Sequence, residues 1–180
     1  MKAISNWENV QENGQFRKLE PGGYVAQIVS VTNDENKEYL EVWYDIAQGD
    51  FKGYYKEQYE KFNNWSGRFY RSYKEKALSM FKGFITSVEK SNQNYEWDWD
   101  ESKLRGKFIG IVLGEEEYIP QGGKYAGQLR TRAVVTKVTD VNSIRLGNFK
   151  VPELKKLKQE EPTSTTQPNP FSISDDSMPF

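Results

Sequence analysis

The chain has neither cysteine nor histidine among its 180 residues. Without thiols there are no disulfides and no thiolate metal ligands. Without imidazoles there is no Ser-His or Cys-His nucleophile pair and no imidazole-bound metal. No run approaches the ~20 apolar residues of a membrane-spanning helix. The opening residues Met1-Lys2-Ala3-Ile4-Ser5-Asn6-Trp7 lack the apolar core of a signal peptide, so the expected compartment is the cytoplasm. Gly22-Gly23 and Gly122-Gly123 lack the Gly-x-x-x-x-Gly-Lys-Ser/Thr phosphate loop, and nucleotide hydrolysis has no carrier.

Charge is plentiful, and its near-zero sum conceals an uneven layout. The whole chain carries 25 basic and 26 acidic residues. From Glu160 onward there are four acids (Glu160, Glu161, Asp175, Asp176) and no base, which leaves the preceding body 25 basic and 22 acidic. Residues 51–90 hold nine bases and four acids, residues 121–150 six and one, and residues 91–120 three and seven. Two basic regions on a nearly neutral body suit a polyanionic partner.

Pro21-Gly22-Gly23 marks a turn before a first strand, Tyr24 to Thr32. Tyr39 to Ala47 alternates as a second strand, with Leu40, Val42, Tyr44 and Ile46 on one face and Tyr39, Glu41, Trp43 and Asp45 on the other. Phe51 to Tyr59 reads as a weakly patterned third strand. Ser72 and Glu75 have capping-box spacing and open a helix over about Tyr73 to Lys90, with Ala77, Met80, Phe81, Phe84 and Val88 as its apolar stripe. Asp100 to Arg105 forms a helical turn closed by Gly106. Lys107 to Leu113 and Leu129 to Val138 are the fourth and fifth strands, joined by the glycine-bearing loop Ile119 to Gln128. The order β-β-β-α-β-β predicts an all-β fold with one main helix: the OB-fold, a five-stranded Greek-key barrel that binds oligonucleotides.

Phe51 to Tyr73 contains nine aromatics within 23 residues, interleaved with lysine and arginine. Unpaired bases need flat apolar partners, and cations between the rings track the phosphates. The candidate contacts are Lys52, Tyr54, Tyr55, Lys56, Tyr59, Lys61, Trp65, Arg68, Phe69 and Arg71, together with Tyr39 and Trp43 on the polar face of the second strand. Some of these rings must also build the core. A second region is the loop between strands four and five, with Lys124 and Tyr125 at its tip and Arg130 and Arg132 on one face of the strand that follows. Lys150, Lys155, Lys156 and Lys158 stand ready either for phosphate or for the acidic tail.

Glu160 to Ser174 is rich in Pro, Ser, Thr, Asn and Gln, contains no lysine or arginine, and has too little apolar surface to fold. It leads into Asp175-Asp176-Ser177-Met178-Pro179-Phe180, two carboxylates before an apolar tip. The chain thus divides into a barrel domain (residues 1–150), a disordered linker (151–174) and the tip (175–180). The tip and linker resemble the C-terminal tail of bacterial and phage single-stranded-DNA-binding proteins. The aromatic-basic insertion before the helix makes the body similar to the divergent phage and mobile-element members. The resemblance implies sequence-independent binding and protection of single-stranded DNA in replication and recombination, in the cytoplasm of a bacterial host, with no catalytic activity and no cofactor. It also implies that Asp175, Asp176, Met178, Pro179 and Phe180 dock on partners such as a helicase, primase, recombinase or recombination mediator. The short Asp-Asp-Ser departs from the longer acidic run common in that family, and Ser177 costs one charge.

Two other readings stay open. One is an adaptor whose barrel binds protein rather than DNA. The other is a carboxylate-dependent nuclease using the acids at 96, 98, 100 and 101. Those acids alternate with Trp97 and Trp99 and have no partner motif elsewhere, whereas two-metal hydrolysis needs carboxylates converging on one point.

Overall fold

A computed structural model describes residues 18–157. Five strands form one antiparallel sheet in the order β3-β2-β1-β4-β5: β1 (Gly22–Asp34), β2 (Tyr39–Ile46), β3 (Arg68–Ser72), β4 (Phe108–Tyr118) and β5 (Arg130–Thr139). Among the described residues three α-helices accompany them: α1 (Tyr54–Phe62), α2 (Leu78–Ser91) and α3 (Val141–Arg145). β1 pairs with β4 over Gly22 to Gln27 on one side and with β2 over Ala26 to Asp34 on the other. Register shifts leave Val29 of β1 and Thr136 of β5 as extra residues, and bulges of this kind bend the strands that carry them. The edge strands β3 and β5 approach each other without forming a ladder. This open, curved five-stranded sheet with a helix is compatible with an OB-like arrangement.

The alternation expected of β2 is present, with Leu40, Val42, Tyr44 and Ile46 buried and the residues between them half-buried. Along α2, Phe81, Phe84, Ile85 and Val88 pack under the sheet, while Met80, expected on the buried stripe, is exposed. β4 is buried without interruption from Ile109 to Gly114 because both of its faces are covered. One face meets the core. Against the other lies a strap of residues 147–157: the Phe149 ring sits on Gly23, and Pro152 sits on Gly114. A Cβ added to Gly23 would lie 2.3 Å from the Phe149 ring, so close packing requires glycine there. Residues 151–157, assigned by composition to the linker, run beside β4, where Lys155 N donates to Glu115 O and Glu117 N donates to Lys155 O. The remainder of the linker and the tip 175–180 lie outside the described residues.

The expected third strand at Phe51 to Tyr59 is wrong. This stretch turns at Gly53 (φ 77°) and becomes α1, and the third strand is Arg68–Ser72. Asp45 at the end of β2 supplies the reason: its carboxylate accepts from Tyr55 N and Lys56 N in the first turn of α1. The expected capping box does not form either. Ser72 belongs to β3, its Oγ accepts from Lys74 N, and a short 3-10 turn, Glu75–Ala77, precedes α2. The turn expected at 100–106 is present: Asp100 accepts from Ser102 N, and Gly106 adopts φ 82°. Among the described residues no helix is long and apolar enough to cross a membrane.

Candidate nucleic-acid interface

The outward faces of β2 and β3 form one surface because their register sets Trp43 opposite Arg68, Glu41 opposite Tyr70 and Tyr39 opposite Ser72. Arg68 lies over the Trp43 ring at 5.7 Å, and Tyr39 meets Tyr70 edge-on at 5.2 Å. Glu41 ties the surface together, accepting from Arg68 at 3.2 Å and from the Tyr70 hydroxyl at 2.9 Å. The bond to Glu41 raises the Tyr70 phenol above its ordinary pKa. Three rings and a guanidinium thus stand on a strand face, a surface of the kind on which successive bases can stack.

This surface leads into a cleft of about 700 Å³ between the edge strands β3 and β5. Lys18, Arg68, Arg71 and Arg132 bring positive charge to its walls, and Tyr54, Trp65 and Tyr70 bring rings. Three of these cations are held by acids: Lys18 by Glu115 at 2.6 Å, Arg68 by Glu41, and Arg132 by Glu116 at 2.6 Å. Each of the three cations is about half exposed or more, so its pairing is weak and a phosphate can displace the carboxylate. Arg71 differs. It sits opposite Leu40 with its guanidinium 4.6 Å from the Phe69 ring, and it forms no ion pair among the described residues. Burial lowers its pKa to about 10, which still leaves it charged at neutral pH.

Past Leu113, where its pairing with β1 ends, β4 continues with β5 to Tyr118 as an arm. Tyr125 near its tip lies between Arg130 at 4.0 Å and Lys124 at 5.5 Å, and Arg132 covers the Tyr118 ring at 4.9 Å. Glu116 is shared, bonding Arg132 through Oε1 and Lys155 of the strap through Oε2. Its hydrogen bond with Arg132 holds the carboxyl below its usual pKa. Glu117 Oε2 accepts from Leu157 N. The three consecutive glutamates thus serve four different partners instead of forming a solvated run.

Among the expected site residues, Tyr39, Trp43, Tyr54, Trp65, Arg68, Arg71 and Arg132 gather at the strand face and cleft. Tyr55 and Phe69 are corrections: at 4% and 6% exposed they belong to the core, reach the cleft only as part of its floor and leave too little ring exposed for a base to stack on. Tyr55 packs edge-on against Tyr44, and Phe69 does so against Phe84. Lys52, Lys56 and Lys61 are exposed outside the cleft, on or next to α1; Tyr59 is exposed beside Trp65. Lys124 and Tyr125 sit on the arm. Lys18 and Tyr70 were missed as site residues. Tyr70 was legible, since it alternates with Arg68 and so shares its face; Lys18 had no signal. Asp98 and Asp100 meet at Lys103, and no group of three acids that could hold a metal ion occurs among the described residues.

The chain matches no family model. No curated protein matches it either.

Proposed function

We propose that this chain coats single-stranded DNA without sequence preference, on an OB-type barrel, and recruits replication or recombination proteins through the tip at 175–180. It resembles the phage and mobile-element single-stranded-DNA-binding proteins and acts as a binder rather than an enzyme. The observation that carries the reading is the cleft between β3 and β5, where four cations and three partly accessible rings join the Tyr39–Trp43–Tyr70 face. Stacking at about 1–3 kcal/mol per base, with phosphates replacing Glu41 and Glu116, supplies affinity without base readout.

Titration with oligothymidine tests it. Tryptophan fluorescence should quench, because Trp43 and Trp65 lie on the proposed path. On a log–log plot affinity should fall with salt by roughly 0.7 per phosphate contacted. Absence of quenching together with no retention on single-stranded DNA would overturn the reading and leave the adaptor as its successor.

A further inference from the structure

A second surface has the opposite electrostatic character. α2, the turn after β1 and residues 97–101 enclose an open groove of about 820 Å³. Its floor is apolar: Leu40, Phe81, Ile85 and Trp97. Leu78 and Trp99 stand at its edge, 49% and 80% exposed. Glu35, Glu89 and Glu101 line it against a single cation, Lys82.

The groove is held in shape. Glu89 accepts from Trp97 N at 2.9 Å, Trp97 packs on Phe81 and Trp99, and Lys103 bridges Asp98 and Asp100 beneath the loop. Trp99 adopts φ 68°, a conformation a tryptophan disfavours. A locally strained backbone therefore presents the most exposed large ring among the described residues. Leu78, Phe81, Lys82, Ile85 and Glu89 fall at helical spacing along one face of α2, a strip about 16 Å long, or about 11 residues of a partner helix.

We propose that this groove docks an amphipathic helix of another protein, with leucine-like anchors on one side flanked by lysine or arginine. Charge selects that occupant. The acidic rim repels a DNA strand, and it equally repels this chain's own segment from Glu160, which carries four acids and no base. The groove and the cleft between β3 and β5 share no lining residue, so both can be filled together. The inference does not depend on the DNA reading.

The test uses the full chain and a labelled synthetic helix of about 14 residues made of leucine and lysine, read by fluorescence anisotropy. Trp99→Ala and Leu78→Ser should each weaken binding about tenfold or more, as should the pair Glu35→Lys and Glu101→Lys. Leu146→Ala, which removes an exposed leucine elsewhere, should leave affinity unchanged. Near-ultraviolet circular dichroism confirms that each variant is folded. Peptides with glutamate for lysine, or serine for leucine, should not bind. The proposal is overturned if Trp99→Ala and Leu78→Ser bind as the parent does, or if Leu146→Ala loses as much. It is equally overturned if the glutamate peptide binds equally well, or if a photocrosslinker on Lys82→Cys, the only thiol in the chain, captures a second copy or residues 1–17 or 158–180.

Discussion

Tyr44 and Tyr55 place two phenols 3.3 Å apart in the core. Burial raises both above the ordinary tyrosine value, Tyr55 to about 12. An unfolded phenol ionises near 10. Between those values the unfolded chain has released a proton that the folded chain still holds. Stability from this group is therefore intact below pH ~10 and lost as pH rises toward ~12, by on the order of 3 kcal/mol. Urea midpoints should drop across that window, and drop less for Tyr55→Phe; equal slopes would refute the assignment. The adjacent pair Phe69 and Tyr70 separates core from surface by one step of the pleat. Phe69→Ala should cost about 3–5 kcal/mol of stability. Tyr70→Ala should cost little stability but about 1–3 kcal/mol of oligothymidine affinity. Denaturation and binding isotherms on both variants check this, and the prediction fails if the two losses exchange places. Gly67 supports the same core: a Cβ there would lie 2.5 Å from the Tyr55 ring and 2.6 Å from Tyr44 O. Gly67→Ala should therefore destabilise by about 1–3 kcal/mol through overpacking, visible as a lower urea midpoint.

The elements that alternate were legible, and those fixed by distant contacts were not. β1, β2, β4 and β5 follow from β-branched runs bounded by turn residues. α1 was misread because tyrosine favours strands, although Phe51, Tyr54, Tyr55, Tyr59 and Phe62 recur at three- and four-residue steps. What settles the matter is Asp45, ten residues from Tyr55, and no local pattern contains that bond. The strap at 147–157 escaped notice for the same reason, since its partners Gly23, Gly114 and Glu116 are remote in sequence. Glu116 offers a test at this scale. Glu116→Gln removes the charge shared by Arg132 and Lys155. Arg132 should then be freer for phosphate, and affinity for oligothymidine should rise a few-fold. The amides of Glu117 and Lys155, which pair strap to β4, should exchange faster in deuterated water. A weaker-binding variant with an unchanged strap would show that Glu116 is not the link.

Across the molecule, cations collect at the cleft and arm, and acids collect around the α2 groove. Composition showed unequal charge along the sequence, but only the curling of the sheet, which carries its opposite edges β3 and β5 toward each other, brings Arg68 near Arg132. The proposed tail joins this layout. Leu157, bonded to Glu117, ends the described chain beside the arm. Seventeen residues separate it from Asp175, and an unstructured stretch of that length would span roughly 20–25 Å root-mean-square, enough to bring Asp175 and Asp176 to Arg130 and Arg132. An acidic segment so tethered competes with a strand for the same cations, and the competition is screened over about 10 Å at 0.1 M salt. Removing Asp175 to Phe180 should therefore leave oligothymidine binding intact or tighter. The gain should be largest at low salt and vanish as salt rises, while docking of partner proteins through the tip is lost. Gel shifts of the full and shortened chains across a salt series decide the point. A shortened chain that binds DNA more weakly would place the tip in the strand-binding surface itself and end the division between a strand-binding barrel and a protein-binding tail.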